Sequence, residues 1–556
     1  MIEMNKAPLE CDVLVVGGGI GGLMAAIAAA DHGAKVMIAE KANTKRSGSG
    51  ATGNDHFQCY IPEVHGEDMG PIVREMNECL TGGALDPHLT VLFLKESFDR
   101  VKDWDSFGIP MRPHGYWEFN GHAMPGRPRI FLKYAGADQK RILTDEALKR
   151  GVVIKNKLPI TEVITNDSGE VIGAIGISIE NEQPELVVFR TKNVVLTTGS
   201  TNRLYTPKTG GQMFNTAFCP SCTGGGRAAA YRAGAKLVNI DVPYTHAGLK
   251  YLNRCGKATW IGVLKDFQGK PVGPFVTKPT RELGDVTADI WNGVFGMKNK
   301  AGQPVFMDCS ETSDEDLEYM LWGLVNEGNT SLLDYMDQQG IDFKKHMIEF
   351  MHYEQMLIGR GIEINERAET NVKGLYAAGD EVGNFRADIA GACVFGHIAG
   401  RNAAARAKSV ASFESAEDSP IVQEKLKLYA SFMSRENSAT WKEANTALQQ
   451  IMTDYCGIEV RSEAFFAVGL KYLGDLKEKI ISDMQAANSH ELMRCVEVLD
   501  LLQVGELVFK TARERKETRG KHVRIDHPYT NPLNDHKFIT VHQTDGTPII
   551  EWRERN

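Results

Sequence analysis

The chain has 556 residues, and 63 basic against 72 acidic side chains give a formal charge of −9, which excludes a strongly basic nucleic-acid surface. Hydrophobic residues at 42% and charged residues at 24% exclude disordered and fibrous classes and predict a globular chain of roughly three or four domain-sized units. Ten cysteines, at 11, 59, 79, 219, 222, 255, 309, 393, 456 and 495, are too dilute for a disulfide scaffold, so a reducing, cytoplasmic compartment is expected.

Asp12 to Val16 is a short β-rich run, Gly17 to Gly22 interrupts it, and Leu23 to Asp31 is an alanine-rich helix former closed by Gly33. Lys35 to Ala39 then reads as a second strand, which completes a βαβ unit. The apolar stretch from Val13 to Ala30 approaches membrane length, but clustered glycines divide it and Glu3, Glu10 and Asp12 precede it instead of basic residues. No direct membrane insertion is expected. Thr191 to Leu196 and Leu375 to Ala378 are further short strands, each followed by small residues: Thr197-Thr198-Gly199-Ser200 and Gly379-Asp380.

The fold class is α/β, with a two-piece Rossmann-like nucleotide-binding domain (1–235 and 366–411) around an inserted α+β capping domain (236–365). A polar linker near 412–420 leads to a helical domain (420–526) and a polar C-terminal tail (527–556). In the helical region Thr440-Trp441-Lys442-Glu443 has capping-box spacing. Faces starting at Trp441, Phe466 and Leu492 predict a three-helix unit.

Gly17-x-Gly19-x-x-Gly22 stands where a strand passes to a helix, and Glu40 ends the next strand, the spacing of a dinucleotide site. Gly17 permits the tight turn, and Gly19 lets the backbone approach a pyrophosphate. Gly22 allows close helix packing, and the helix start at Ile20 presents free N–H groups to the anion. Glu40 is expected to accept from the adenosine ribose hydroxyls. The small-residue loop Arg46-Ser47-Gly48-Ser49-Gly50-Ala51-Thr52-Gly53 can pass close under a ring system, which favours FAD over NAD.

Further runs are Ser221-Cys222-Thr223-Gly224-Gly225-Gly226 to Tyr231-Arg232-Ala233-Gly234-Ala235, Gly374-Leu375-Tyr376-Ala377-Ala378-Gly379-Asp380 and Glu517-Thr518-Arg519-Gly520. With the opening motif and the Arg46-Ser47-Gly48 loop, they resemble the flavoprotein subunits of the succinate dehydrogenase and fumarate reductase family. Overall spacing and the region from Arg281 to Gly302 are most similar to the adenylylsulfate reductase alpha subunit, together with its relatives. The resemblance spans residues 12 to about 526. It implies that Gly17, Gly19, Ile20, Gly22, Glu40, Lys41, Ser47, Thr52, Gly53, Gly199 and Asp380 hold FAD. Relatives that attach flavin covalently carry a histidine directly after the Arg-Ser pair. Gly48 stands there, so a non-covalent FAD is expected.

The resemblance also suggests Arg281, Arg386 and His246 as groups facing the substrate, with Gln58, and His56 two residues before it, on the segment approaching the flavin. Fixed cations in a dry site suit a small anionic substrate on which negative charge develops. The His-Tyr-Thr-Met-Gly-Gly run of dicarboxylate enzymes is replaced by Glu354-Gln355-Met356-Leu357-Ile358-Gly359-Arg360-Gly361, which weighs against succinate or fumarate. Cys219-Pro220-Ser221-Cys222 has the spacing of a zinc or redox pair, but no second pair lies at ligand distance, and it is read as structural. No metal site and no iron–sulfur cluster is expected within the chain. The resemblance therefore implies a small iron–sulfur protein as electron partner. The expected function is an FAD-dependent, adenylylsulfate-reductase-like oxidoreductase. The alternatives are a fumarate-reductase-type enoate reductase and a flavin electron-transfer subunit without a small substrate of its own.

Overall fold

The computed structural model describes residues 2–80, 83–119, 128–207, 216–250, 259–272, 278–280, 298 and 301–556. Its main sheet is built outward from the strand Leu9–Val16. That strand pairs in parallel with Val36–Ala39 on one side and Glu185–Leu196 on the other, with Val13 opposite Val36 and Leu14 opposite Val194. Val153–Lys155 extends the parallel edge beyond Val36–Ala39. Val13, Leu14 and Val15 are fully buried, as expected of a strand covered on both faces.

Glu185–Leu196 serves two ends of the molecule. Its first half pairs antiparallel with Val171–Ser178, which pairs in turn with Ile160–Thr165. Its second half receives Leu375–Ala377 in parallel, with Tyr376 opposite Val195. Two stretches of chain more than a hundred residues apart thus share one sheet.

The helix Ile20–Asp31 crosses the helix Asp388–Ala407 at backbone distance. Gly21 and Ala25 meet Gly396 and Gly400, where an added Cβ would collide with the carbonyls of Gly21 and Ala25. Small residues on both helices make this approach possible.

Between the two pieces, Ala247–Leu249, Ile348–His352, Val305–Asp308 and Val263–Asp266 form an antiparallel sheet. The helices Asp314–Asn326 and Thr330–Gln338 share its separate core around Trp260, Met320, Leu324 and Phe350.

The helical region has four helices where the sequence predicted three: Pro420–Met433, Trp441–Cys456, Glu463–Asp483 and Ser489–Glu514. The added one begins with Pro420 at its first position, where a missing N–H costs nothing. The capping box forms, with the Glu443 N–H donating to Thr440 Oγ1 at 3.3 Å and the Thr440 N–H to Glu443 Oε2 at 2.8 Å.

The expected polar tail is instead a β-hairpin, Lys537–Thr544 and Thr547–Glu554, turning at Asp545 and Gly546, both with positive φ. It docks on Leu237–Val238, and that strand pairs with Gly361–Ile362. Phe538, Ile539 and Val541 of its first strand are buried. Among the described residues no helix is long and apolar enough to cross a membrane.

Candidate FAD and substrate site

At the turn after Leu9–Val16, Gly17 has φ +96°, and an added Cβ would stand 2.6 Å from the Thr197 carbonyl. A Cβ on Gly22 would strike the Gly17 carbonyl, so this glycine packs the helix onto the turn and does not line the cavity. At Gly19 the nearest atom to such a Cβ is 3.8 Å away, which leaves the backbone open to a ligand. Gly19 caps the helix Ile20–Asp31 without a side-chain acceptor, and the first turn holds no acid. Its amides and the positive end of its dipole are available to an anion.

The turn opens on a cavity with about 1800 Å³ of space empty of protein atoms, its mouth included. Gly17, Gly19, Ile20, Glu40, Lys41, Ser47, Thr52, Gly53, Gly199 and Asp380 all line it. Glu40 is buried and accepts from the Gly18 N–H at 2.6 Å and the Ala42 N–H at 2.7 Å, so it also braces the turn. Lys41 donates to the Ser221 carbonyl and pairs with Glu497 at 2.7 Å. In the small-residue loop, Gly48 and Gly53 have positive φ, and a Cβ on Gly53 would collide with the Asn326 carbonyl. The hydroxyls of Ser47 and Ser49 are buried in this wall with no hydrogen-bond partner among the described residues. Such orphaned polar atoms are costly, and they suit a polar ligand that completes their bonds.

Several residues that sequence reasoning missed hold this cavity together. Buried Arg227 donates to the carbonyls of Gly199 at 2.6 Å, Arg360 at 2.7 Å and Asp380 at 2.7 Å, tying three segments across the mouth of the sheet. Burial pulls its guanidinium down to about 10. Glu381 accepts from the Thr198 amide and hydroxyl, each at 2.7 Å, and burial raises its carboxyl to about 7 against the pull of Arg227. Lys140, in the first turn of the helix Gln139–Lys149, donates to the Gly18 carbonyl. Burial lowers its ammonium to about 8, opposed by Glu40. Arg227 follows the Gly224-Gly225-Gly226 run and Glu381 follows Gly379-Asp380, so each was within reach of a motif. Lys140 carries no such signal.

His246, Arg386 and Gln58 do not line the main cavity. His246 is buried with its ring 5.8 Å from Phe218, itself a wall residue, and stacked at 6.5 Å and 18° on Tyr244. The Arg386 guanidinium lies 4.2 Å over the same Tyr244 ring and pairs at 2.7 Å with Asp388, another wall residue. Lys521 adds a third group, its ammonium 4.6 Å over Tyr244 and bonded to the Thr245 carbonyl at 3.2 Å. Gln58 is buried on the strand His56–Gln58, its Oε1 without a partner among the described residues. Arg281 lies outside the described residues. His56 bonds Asp55 at 2.5 Å, and with Glu327 of the cavity wall they form a buried group with ligand atoms within 4.8 Å of one another. The His-Tyr pair that opens the dicarboxylate run, expected to be replaced, is present as His352 and Tyr353 immediately before Glu354, so its loss does not weigh against a dicarboxylate; the Tyr353 amide donates to the His246 carbonyl at 2.8 Å.

A family model described as the FAD binding domain matches residues 12–387, and one described as the fumarate reductase flavoprotein C-term matches residues 445–556. The turn, the acid after the second strand and the long cavity thus define an FAD-dependent oxidoreductase. The chain belongs to the succinate dehydrogenase and fumarate reductase flavoprotein family, with FAD as its cofactor.

One subunit of the fumarate reductase (CoM/CoB) of Methanothermobacter marburgensis is 28% identical, over 95% of this chain and 96% of the relative. The fumarate reductase flavoprotein subunit of Escherichia coli (strain K12) is 24% identical, over 98% and 94%. Among solved structures, the adenylylsulfate reductase of Archaeoglobus fulgidus superposes with a TM-score of 0.82 at 22% identity, over 100% of this chain and 98% of that one. The fumarate reductase of E. coli superposes with a TM-score of 0.81 at 21% identity, over 98% and 97%. Both share the fold.

Proposed function

We propose that this chain is the catalytic flavoprotein of a reductase that moves electrons between FAD and a small anionic substrate, in the manner of an adenylylsulfate reductase. The observation that carries the reading is the cationic cluster on Tyr244, whose ring carries Arg386, Lys521 and His246 next to the cavity. Bound FAD supplies two-electron chemistry at its ring. Gly19 and the helix amides would receive its diphosphate, Ser47 and Ser49 would bond its polar groups, and Glu40 would accept from the adenosine ribose hydroxyls. Asp388 holds the Arg386 guanidinium in place, and Arg386 and Lys521 neutralise charge on the substrate. Arg281 and Gln58 join this set as sequence-based assignments.

Gly48 supports non-covalent attachment, so acid denaturation should release all flavin into the supernatant. The division into 1–235 and 366–411 around 236–365, with 420–526 beyond, is supported by the shared sheet and the separate core of the insertion. Electron delivery by a separate small iron–sulfur protein in the cytoplasm is carried by the family resemblance alone. Turnover of adenylylsulfate, or of sulfite with AMP, measured against a panel of enoates tests the substrate assignment. Activity with enoates alone overturns it in favour of the fumarate-reductase-type reading, to which the identities of the full-length relatives belong.

A further inference from the structure

Cys219 and Cys222 have the spacing of a redox pair and are read as structural only for want of a second pair nearby. Both line the FAD cavity and both are partly exposed, whereas the other six described cysteines are buried. The Cys222 amide donates to the Cys219 carbonyl at 3.0 Å, closing a turn whose ends lie within about 7 Å of each other. That separation is within the span a disulfide bridges.

Their surroundings favour a reactive sulfur. The neighbouring Cys222 thiol, the amides of Ser221 and Gly48 and the Lys41 ammonium all favour the charged form of the Cys219 sulfur. Gly48 belongs to the small-residue loop read as passing under the flavin ring. An added Cβ on Gly199 would stand 3.2 Å from Cys222 Sγ, so this glycine leaves the second sulfur room at the cavity wall. The Cys222 thiol, with these amides and Lys41, draws the Cys219 thiol well below its ordinary value, while Cys222 rises. Burial instead pushes Cys11, Cys309 and Cys495 up to about 12, as expected of inert core thiols.

We propose that Cys219 and Cys222 form a reversible disulfide in the wall of the FAD cavity that exchanges two electrons with the bound flavin. In the oxidised state one S–S bond joins the sulfurs. The pair takes up two electrons and two protons from reduced flavin, the S–S bond breaks, and each sulfur leaves as a thiol. The flavin is returned to its oxidised form, so atoms and electrons balance without another reactant. The protein thereby stores a second electron pair beside its cofactor.

The test is an anaerobic reductive titration of the oxidised holoprotein, with flavin content measured independently on the same sample. Wild type is expected to take up two more electrons per flavin than either Cys219→Ser or Cys222→Ser. On the unsubstituted protein, maleimide labelling read by peptide mass spectrometry should leave both residues unmodified in the oxidised form and label both after reduction. Equal electron uptake in wild type and both variants, or full labelling of the pair in the oxidised holoprotein, overturns the proposal. A preparation without flavin fails at the flavin measurement, which separates loss of the cofactor assignment from loss of this one.

Discussion

Buried charge around the cavity is arranged so that single ionisations matter. Glu497 is buried among Lys41, Arg203 and Arg494, with bonds of 2.7, 2.5 and 2.8 Å, and these cations hold its carboxyl at about 2 despite burial. An unfolded glutamate titrates near 4.3, so the stabilisation is complete above that value and is lost as pH falls toward 2. Glu497→Gln should cost about 3 kcal/mol at neutral pH, with the gap from wild type closing in acid. Urea unfolding at a series of pH values measures it, and a gap that stays constant with pH contradicts the assignment. Lys140 tests the cofactor end. Its ammonium near the Gly17 to Gly22 turn has a depressed value of about 8, and a diphosphate favours the charged form. FAD affinity should therefore fall as pH rises through about 8. Lys140→Met should weaken binding roughly tenfold and remove this pH dependence. Fluorescence titration of the apoprotein with FAD reads both effects.

Elements written by local chemistry were legible in the sequence. The strand, glycine turn and helix from Asp12 to Asp31 follow from β-rich residues, a glycine run and alanines, and the helix start at Trp441 follows from its capping box. The C-terminal hairpin was missed because Lys537 to Glu554 mixes charge with its apolar residues and buries one face against a distant strand, although Asp545-Gly546 is a hairpin turn signal. Helix contact by small residues was equally invisible, since Gly400 finds its partner Ala25 only in three dimensions. Gly400→Val should cost on the order of 3 kcal/mol, because the carbonyl it would strike belongs to a packed helix. Gly474, in the helix Glu463–Asp483, has open space at its Cβ position, and Gly474→Ala should raise stability by about 1 kcal/mol. Thermal melting of the two variants reads opposite signs. A Gly400→Val melting temperature equal to that of wild type contradicts the crossing geometry.

At the scale of the whole molecule, a cofactor cavity is assembled from pieces distant along the chain. The phosphate turn comes from the first βαβ unit, the serine loop from the stretch after Val36–Ala39, the Thr197 to Gly199 turn from the long strand, and Asp380 from the returning segment. Glycine spacing and one acid led to the turn and the cavity it opens on, since those constraints are local. At the candidate substrate end only the resemblance supplied Arg386 and His246, while Tyr244 and Lys521 were missed, because these groups converge from separate regions and no spacing rule joins them. Lys140 escaped notice for the same reason, being defined by the Gly18 carbonyl it holds, whereas Arg227 and Glu381 directly follow motifs already singled out. The most direct measurement is the flavin content of the natively purified protein, taken from its visible spectrum and from chromatography of the acid-released cofactor. A yellow protein releasing close to one FAD per chain is the predicted result, and a colourless protein that neither releases FAD nor takes it up contradicts the account.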